Sequence, residues 1–563
     1  MTRRQFAAAL LALVLLALAL RSLFPAADPP WRRSVGVVWH DEGAWTHNAR
    51  NKALFGAWRL DDWNPVYVAP VFTALEYASF EAFGVGVRQA RLVSQLAGML
   101  SVLLLALGVR RISGSLAGVI AGGLLATNYV YVMYDRAAIM EALMIALIVA
   151  SWYCSVRAER APRWGTAAGT MATLAFFTKA SAAFYVGALA LAAVVRLLPV
   201  GNDAATPALT RAARWTLAGL AASFVAIGLL FVLPHWADYQ FYNWQMSVTR
   251  KPSYDAASLL TRLSWFPVIH DTFSRMWAAL CLGLFGAWGI VCRWRRAGDA
   301  ERLLLLWVAV GSLELLVHDV GNERRLVFLI PALIALAAVV LARGSLLPPE
   351  AAAVPRVRLI IAAPAILYSA YVLLGPLVRL LFLEQLGANV FRMPVRIAAA
   401  GAAALGILLL LGWTRSARAF TAQRWGSRAA LVFLAAAMIW NLAQFADWAA
   451  HRSYENYAAS LALGRVLPPG TAVQGKLANG LALENRIRPI FIGHAFGNYA
   501  DRKDRWDVRY ILTYTDPYIG YEGSQIEDVL AAYPGWRISM TFDVSETPSG
   551  HDTAALIEKR ARD

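Results

Sequence analysis

Long apolar runs recur along most of this chain, and they constrain its fold more than any other feature. The first covers Phe6–Leu20, and similar runs follow at short intervals as far as residue 446. An apolar run of about 20 residues is long enough to cross a bilayer as a helix. The sequence is 59% hydrophobic and 16% charged, whereas soluble domains are typically about 45–50% apolar and 25% charged. We therefore predict an α-helical membrane protein that crosses the bilayer many times.

The excess of positive charge fits a membrane protein. The formal net charge is +17, but most arginines lie in short segments between apolar runs, which is typical of cytoplasmic loops. No aromatic-basic RNA motif or recognition-helix pattern accompanies them. We predict no nucleic-acid partner. We expect the anionic head groups of membrane lipids to interact with the positive charge. The three cysteines, Cys154, Cys281 and Cys292, lack metal-ligand spacing.

The positive-inside rule sets the predicted topology. The first run extends to Phe24 and is interpreted as a signal anchor rather than a cleaved signal peptide. Residues 25–90 and 235–271 then form long outer loops, and about thirteen spans result. Predicted spans include 92–109, 116–132, 142–156, 166–177, 216–233, 357–380, 395–412 and 428–446.

Within the first outer loop, Pro65–Phe83 is apolar enough to suggest a further span. It carries Glu76, however, and Phe80 and Phe83 follow at helical spacing. We predict an amphipathic helix that lies at the membrane interface. A crossing here would place the arginines of the next loops on the wrong side.

The character of the chain changes from about Tyr454, where charge rises and long apolar runs stop. We predict a transmembrane domain at 1–447 and a small extracytoplasmic α/β domain at 448–563. Its β-like segments are Thr471–Gln474, Pro489–Ile492, Val508–Thr513 and Arg537–Phe542, and its helices are Lys476–Leu483 and Gln525–Ala532.

The predicted topology gathers many charged residues on the outer face. They are Asp41, Glu42, Asp135, Arg136, Glu141, Lys179, Asp319, Glu323, Arg324 and Arg325. Taken singly, the Asp41-Glu42 pair fits a solvated loop or a helix N-cap, and Arg324 with Arg325 fits interfacial snorkelling. Lys179 stands between two apolar runs with almost no loop, and such an ammonium group needs an anionic partner.

Aromatic residues crowd the second outer loop. Tyr239 and Tyr242 are of the type that contacts sugars, although an interfacial aromatic belt has the same composition. Trp45 and His47 follow Asp41-Glu42 closely. We take these four residues as candidate sugar- or acceptor-binding residues.

Several motifs in a fixed order carry a resemblance to a known family. They are Asp41-Glu42, Pro65–Pro70, Gly84 with Arg88 and Arg91, Arg136 with Glu141, Thr178-Lys179, and Arg324-Arg325 entering Leu329-Ile330-Pro331. In this order the chain resembles the GT-C glycosyltransferases, specifically the protein O-mannosyltransferases and the bacterial lipid A aminoarabinose transferase. The resemblance covers roughly residues 1–345.

The resemblance implies a sugar donor carried on polyprenyl phosphate. Asp41 then corresponds to the catalytic base, with Glu42 as its companion, and Glu141 takes the second acidic position, which is usually Asp in the family. Lys179, Arg324, Arg325 and Arg136 correspond to the groups that hold the donor phosphate. The family's frequent Tyr after Asp-Glu is replaced here by Trp45 and His47 nearby.

The chemistry agrees with that implication. A positioned carboxylate can take the proton of a weakly nucleophilic hydroxyl, and one displacement inverts the anomeric centre. No Gly-rich nucleotide loop is apparent. Cationic side chains can serve a monophosphate, so no cofactor is required, although the acids are also ligand types for a divalent cation.

Two other functions remain open. One is a transporter or flippase of lipid-linked sugars, which mid-span charges would favour; here the charges cluster at span ends. The other is an O-antigen ligase or polymerase. The Asp41-Glu42 pair near the start of the sequence argues against this function. The expected location is the bacterial inner membrane with the site facing the periplasm, and a lipid, glycan or protein acceptor remains open.

Overall fold

We describe the protein from a computed structural model. The structure describes residues 1–30, 39–197, 207–248, 255, 257–258, 266–318, 323–346, 367–372, 398, 400–406, 425–492, 504–515, 530–545 and 552–560. Asp319 and most of the predicted helix Gln525–Ala532 lie outside these residues.

Helices dominate the region before residue 450. They are α1 Arg3–Ser22, α2 His40–Phe55, α3 Pro70–Phe83, α4 Val87–Thr127, α5 Tyr129–Asp135, α6 Met140–Ala158, α7 Trp164–Thr178, α8 Ala183–Leu197, α9 Pro207–Ile227, α10 Trp236–Val248, α11 Phe266–Ser274, α12 Trp277–Cys292, α13 Asp299–His318, α14 Glu323–Leu326, α15 Ile330–Arg343 and α16 Ser427–Ala450.

Several of these helices can cross a bilayer. Within the described residues, seven are long and apolar enough to do so, or eight if the bent pair α11–α12 forms one span. Apolar side chains such as Leu230 and Val432 are 80% and 69% exposed, as expected for surfaces that contact lipid rather than water. The count of about thirteen stays a prediction, because 357–380 and 395–412 lie largely outside the described residues.

Helix α4 consists of two arms joined at Gly114, whose φ of 89° and ψ of 176° are reserved almost entirely for glycine. A Cβ atom on Gly118 would lie 2.7 Å from the carbonyl oxygen of Ala106, so the arms pack directly against each other. They correspond to the spans predicted at 92–109 and 116–132, with Arg110 and Arg111 close to the turn.

Helix α3 differs from its prediction. Glu76 and Phe80 are 0% and 2% exposed, whereas Phe83 is 63% exposed. The helix packs against α2 and α4, and this packing buries Glu76. Phe83 remains exposed because it is the last residue of the helix. The prediction of a polar face at the membrane interface is therefore wrong for Glu76.

The C-terminal region folds around one five-stranded sheet in the order β2-β1-β3-β5-β4. Its helices are α17 Glu455–Val466 and α18 Lys476–Gly480, and its strands are β1 Ala472–Gln474, β2 Arg488–Ile490, β3 Tyr510–Tyr514, β4 Arg537–Val544 and β5 Asp552–Glu558. Strand β1 is parallel to β2 and β3, and β5 is antiparallel to β3 and β4.

The sequence prediction located four of these strands and missed β5. Its alanines gave it a weak β signal, yet it lies between β3 and β4 with Leu556 fully buried. Helix α18 is also shorter than predicted, since it ends at Gly480 rather than Leu483. The predicted fold class, a helical membrane protein with a small C-terminal α/β domain, is nevertheless what the structure has.

Candidate active site

Asp41 lies in the first turn of α2, directly after the helix begins at His40. A carboxylate is favourable there because it meets the positive end of the helix dipole. The Asp41 side chain is 15% exposed and accepts a hydrogen bond of 2.6 Å at Oδ2 from Nη1 of Arg324. The two residues are 283 positions apart in the sequence.

Arg324 connects Asp41 to a second carboxylate. Its Nε lies 3.7 Å from Oε1 of Glu141, and the Nζ of Lys179 donates to the same oxygen. We call Asp41, Arg324, Glu141 and Lys179 the ion-pair chain. Its charges alternate in sign and sum to zero, and the two cations are 17% and 20% exposed at their side chains.

Helix ends bring the ion-pair chain together. Glu141 lies in the first turn of α6, Lys179 caps the end of α7, and Arg324 is the second residue of the short α14. The ion-pair chain thus lies where the predicted spans end. Burial lowers the pKa of the Lys179 ammonium, an effect that the adjacent Glu141 carboxylate opposes. Arg325 is close enough to Lys179 to lower that pKa further.

Glu42 points away from the ion-pair chain although it follows Asp41 directly. Its two carboxylate oxygens accept hydrogen bonds of 2.8 and 2.7 Å from Arg91, and its Oε1 also accepts from the backbone N–H of Ala138. Arg91 donates further to the carbonyls of Pro25 and Ala27. Glu42 therefore ties α2 to α4 and to the turn before α6.

Arg136, predicted to hold phosphate, is placed elsewhere. It donates to the carbonyls of Leu20, Arg21 and Phe24, and its guanidinium lies 4.5 Å from the ring centre of Trp448. These contacts satisfy its donors within the protein. The structure does not bring it into the ion-pair chain.

A buried ion pair that the sequence reasoning missed lies beside it. Arg21 donates to Oδ2 of Asp135 at 2.6 and 2.8 Å, and both side chains are at most 1% exposed. In the sequence, Arg21 directly follows the apolar run Phe6–Leu20. Its partner is 114 residues away, so no local pattern could reveal the pair.

Trp45 and His47 face the protein interior. Trp45 packs edge-on against Trp63 with ring centres 5.6 Å apart. Nε2 of His47 lies 2.8 Å from Oδ1 of Asp61, and its Nδ1 lies 3.0 Å from Nδ2 of Asn479 in α18. Both side chains serve contacts within the protein.

The two candidate tyrosines lie on α10. Tyr242 stacks on Tyr67 at 5.6 Å between ring centres, and its hydroxyl donates to the carbonyl of Asp62 at 2.5 Å. Burial raises the pKa of Tyr239, whose ring is half-buried. Tyr242 thus packs α10 against the segment that follows α2.

Glu76 is a second group that the sequence reasoning misjudged. Neither carboxylate oxygen has a hydrogen-bond partner among the described residues, and the side chain is fully buried. Burial raises the pKa of this carboxyl well above its usual range, and the charge of Glu42 adds to the shift. Burial therefore favours the protonated form of Glu76 in the folded protein.

The acidic and histidine side chains near the ion-pair chain are also potential metal ligands. Across the described ranges, no group of three or more His, Cys, Asp or Glu side chains is arranged to hold a metal ion. Nε2 of His40 lies 3.8 Å from Oδ1 of Asp41.

Comparison with known proteins supports the fold. The structure aligns with the crystal structure of apo ArnT from Cupriavidus metallidurans over 99% of this chain and 98% of that one, with 16% sequence identity and a TM-score of 0.53. The chain has the GT-C fold. ArnT from the same organism bound to undecaprenyl phosphate aligns over 98% of this chain and 97% of that chain, at 18% identity and a TM-score of 0.49.

Two further comparisons also gave matches. The oligosaccharyltransferase AglB from Archaeoglobus fulgidus aligns over 98% of this chain and 74% of its own, at 14% identity and a TM-score of 0.47. Residues 67–237 match the dolichyl-phosphate-mannose-protein mannosyltransferase family. No curated protein matches the sequence.

The GT-C fold explains how distant motifs form one site. The matched segment 67–237 contains Glu141 and Lys179, whereas Asp41 and Arg324 lie outside it. The ion pairs join these two sets of residues. The resemblance to GT-C glycosyltransferases, first drawn from the order of the motifs, is thus confirmed by the fold.

Proposed function

We propose that this protein is a membrane glycosyltransferase that moves one sugar from a polyprenyl-phosphate donor to an extracytoplasmic acceptor. The observation that carries the proposal is the ion-pair chain, which holds a carboxylate and two cations within one hydrogen-bonded set. The matched family is described as using dolichyl-phosphate-mannose, a sugar on a lipid phosphate. The acceptor is a lipid, a glycan or a protein.

The cations of the ion-pair chain suit the donor phosphate. Lys179 and Arg324 are each partly exposed and each already bound to a carboxylate. A phosphate can accept the same charge-assisted hydrogen bonds. As the sugar leaves, negative charge grows on the phosphate oxygen, so these cations stabilise the transition state more than the bound donor.

Asp41 is suited to the role of base. When Arg324 turns to the phosphate, Oδ2 of Asp41 is released to accept the proton of an acceptor hydroxyl. The acceptor oxygen bonds to the anomeric carbon while the bond from that carbon to the phosphate oxygen breaks. The bonding electrons leave with the polyprenyl phosphate, and the product has inverted configuration.

Glu141 contributes by positioning Lys179 and Arg324. Because both Lys179 and Arg324 approach its Oε1 atom, the Glu141 carboxylate holds the two cations close to each other and near Asp41, and it offsets their mutual repulsion. This role requires a carboxylate but no proton transfer, which suits either Glu or the Asp that is usual in the family.

The proposed location is a bacterial cytoplasmic membrane, with the ion-pair chain facing outward. The support is the charge pattern: arginine clusters such as Arg110–Arg111 and Arg293–Arg296 lie at span ends other than those carrying the ion-pair chain. Positive clusters of this kind favour the cytoplasmic side.

Binding of the lipid phosphate tests the proposal directly. Purified protein is titrated with undecaprenyl phosphate and, as the matched control, with undecaprenol, which has the same chain and no phosphate. We expect undecaprenyl phosphate to raise the unfolding temperature, and to raise it further as the logarithm of its concentration increases above Kd, whereas undecaprenol should have no comparable effect. Equal effects of the two lipids would refute a phosphate-binding site.

Transfer itself is tested in cells. A deletion strain is expected to lack one sugar from its envelope lipids, polysaccharides or proteins, as measured by mass spectrometry of each fraction. The fraction that loses the sugar identifies the acceptor class. An envelope identical to that of the parent strain would contradict the proposed transfer.

A further inference from the structure

Helix α2 is held from two sides. One side carries Asp41 and Glu42, which bind Arg324 and Arg91 of the transmembrane region. The other side lies against α18 of the C-terminal domain. The helix that carries the proposed base is therefore enclosed between the two parts of the chain.

The contact between α2 and α18 is a backbone contact. A Cβ atom on Gly43 would lie 1.8 Å from the carbonyl oxygen of Asn479 and 2.5 Å from its carbonyl carbon. A Cβ atom on Gly480 would lie 2.7 Å from the Cβ of His40. No side chain larger than a hydrogen atom fits at either position without moving one backbone away from the other.

Polar contacts also hold α2 against α18 and against the segment that follows α18. Nδ2 of Asn479 lies 3.0 Å from Nδ1 of His47, one turn after Gly43. Arg50, at 1% exposure, donates to the carbonyls of Ala482, Asn485 and Ile487 at 2.9 to 3.0 Å. A guanidinium with several fixed donors can hold three backbone oxygens at once.

These contacts bear directly on Asp41. His40 and Gly43, the two residues pressed against α18, lie one position before and two positions after it. Displacing the start of α2 by about 1 Å therefore moves the carboxylate relative to Arg324 and to the acceptor. Misplacement of that size reduces catalysis by about 10²-fold.

We propose that Gly43 and Gly480 are positioning residues through which the C-terminal domain sets the place of Asp41. The C-terminal domain is then part of the catalytic structure rather than a separate module. This inference rests on the proposed function of Asp41 as base. It assigns Gly43 and Gly480 no contact with the donor phosphate, because Lys179 and Arg324 are held by α7 and α14.

The test separates transfer from lipid binding. Gly43→Ala and Gly480→Ala are each expressed in the deletion strain and purified, with Gly187→Ala as the matched control. Gly187 is a helical glycine with open space around its Cβ position. We expect at least about a 10-fold loss of transferred sugar for Gly43→Ala and Gly480→Ala, with affinity for undecaprenyl phosphate within twofold of the parent. Gly187→Ala should match the parent in both measurements.

Three results distinguish the possible failures. If Gly43→Ala and Gly480→Ala transfer sugar at the parent's level, the positioning role is refuted. If both lose transfer and lipid binding to the same extent, the contact supports the whole fold and the positioning role is again refuted. If the parent itself does not bind undecaprenyl phosphate, the proposed function fails instead.

If neither glycine variant accumulates in the membrane, the Arg50→Lys variant provides the test. A lysine keeps the charge but cannot hold all three carbonyls in the same geometry. We expect reduced transfer with unchanged lipid binding. Full transfer by Arg50→Lys would overturn the inference.

Discussion

Each cation of the ion-pair chain is held by a carboxylate that a phosphate can replace. Lys179 is bound to Glu141, and Arg324 is bound to both Glu141 and Asp41. Because the set is neutral, it leaves no uncompensated charge in the partly buried site. In the proposed reaction, the donor phosphate replaces a carboxylate as the anionic partner of Arg324, which links phosphate binding to the release of Asp41.

Replacement of Lys179 tests the phosphate contact. A hydrogen bond to a charged group contributes about 1.5–3 kcal/mol, so Lys179→Ala should raise the Kd for undecaprenyl phosphate by about 10- to 100-fold. Arg196→Ala is the matched control, because Arg196 is paired with Asp299 in a different ion pair. Unchanged affinity in Lys179→Ala would show that the phosphate binds elsewhere.

Glu76 makes stability depend on pH. Its folded-state pKa is raised by burial, so the folded protein binds a proton that the unfolded chain releases above its usual pKa of 4.5. Stability therefore falls as pH rises above that value, until the raised pKa is passed. We expect the unfolding temperature to fall between pH 5 and pH 8 by less in Glu76→Gln than in the parent. Identical slopes would contradict this assignment.

The residues of the site lie at or near the ends of their helices. Helices α6, α7 and α14 place Glu141, Lys179 and Arg324 at one level, and α2 brings Asp41 to them. Between α2 and α4, the buried pair of Glu42 and Arg91 fixes the helix that carries the proposed base. This explains why two adjacent acids have different surroundings.

The pair of Glu42 and Arg91 predicts a difference between adjacent substitutions. Breaking a buried ion pair by removing one partner costs about 3–5 kcal/mol, so Glu42→Gln should lower the unfolding temperature markedly. Asp41→Asn, at a partly exposed position, should lower it less. Equal unfolding temperatures for the two variants would show that Glu42 does not join α2 to α4.

Local sequence patterns predicted most helices and strands of this fold. They could not predict which distant residues or strands pair with each other. Apolar runs indicated the spans around Gly114 and the helix at Met140–Ala158 because their signals are local. The partners of Arg21 and Arg91 lie 114 and 49 positions away, which no local pattern encodes. Strand β5 was missed because its place in the sheet depends on β3 and β4 rather than on its own alanine-rich sequence.

The proposed reaction requires one orientation of the whole molecule in the membrane. Cys292 is an exposed free cysteine next to the cluster Arg293–Arg296, and we expect it on the cytoplasmic side. The exposed Asp504 of the C-terminal domain should lie on the outer side.

Labelling with a membrane-impermeant maleimide tests this orientation. In intact spheroplasts, Asp504→Cys in a background without Cys292 should react, and Cys292 of the parent should react after the membrane is opened. The opposite pattern would place the C-terminal domain in the cytoplasm, where no extracytoplasmic acceptor is available.

The central claim is that Asp41 removes the acceptor proton while Lys179 and Arg324 hold the lipid phosphate. The most direct measurement compares Asp41→Asn with the parent for both undecaprenyl phosphate affinity and sugar transferred to the envelope. We predict transfer reduced by about 10²- to 10⁴-fold, the usual contribution of a general base, with lipid affinity retained. Transfer at the parent's level by Asp41→Asn would contradict the account.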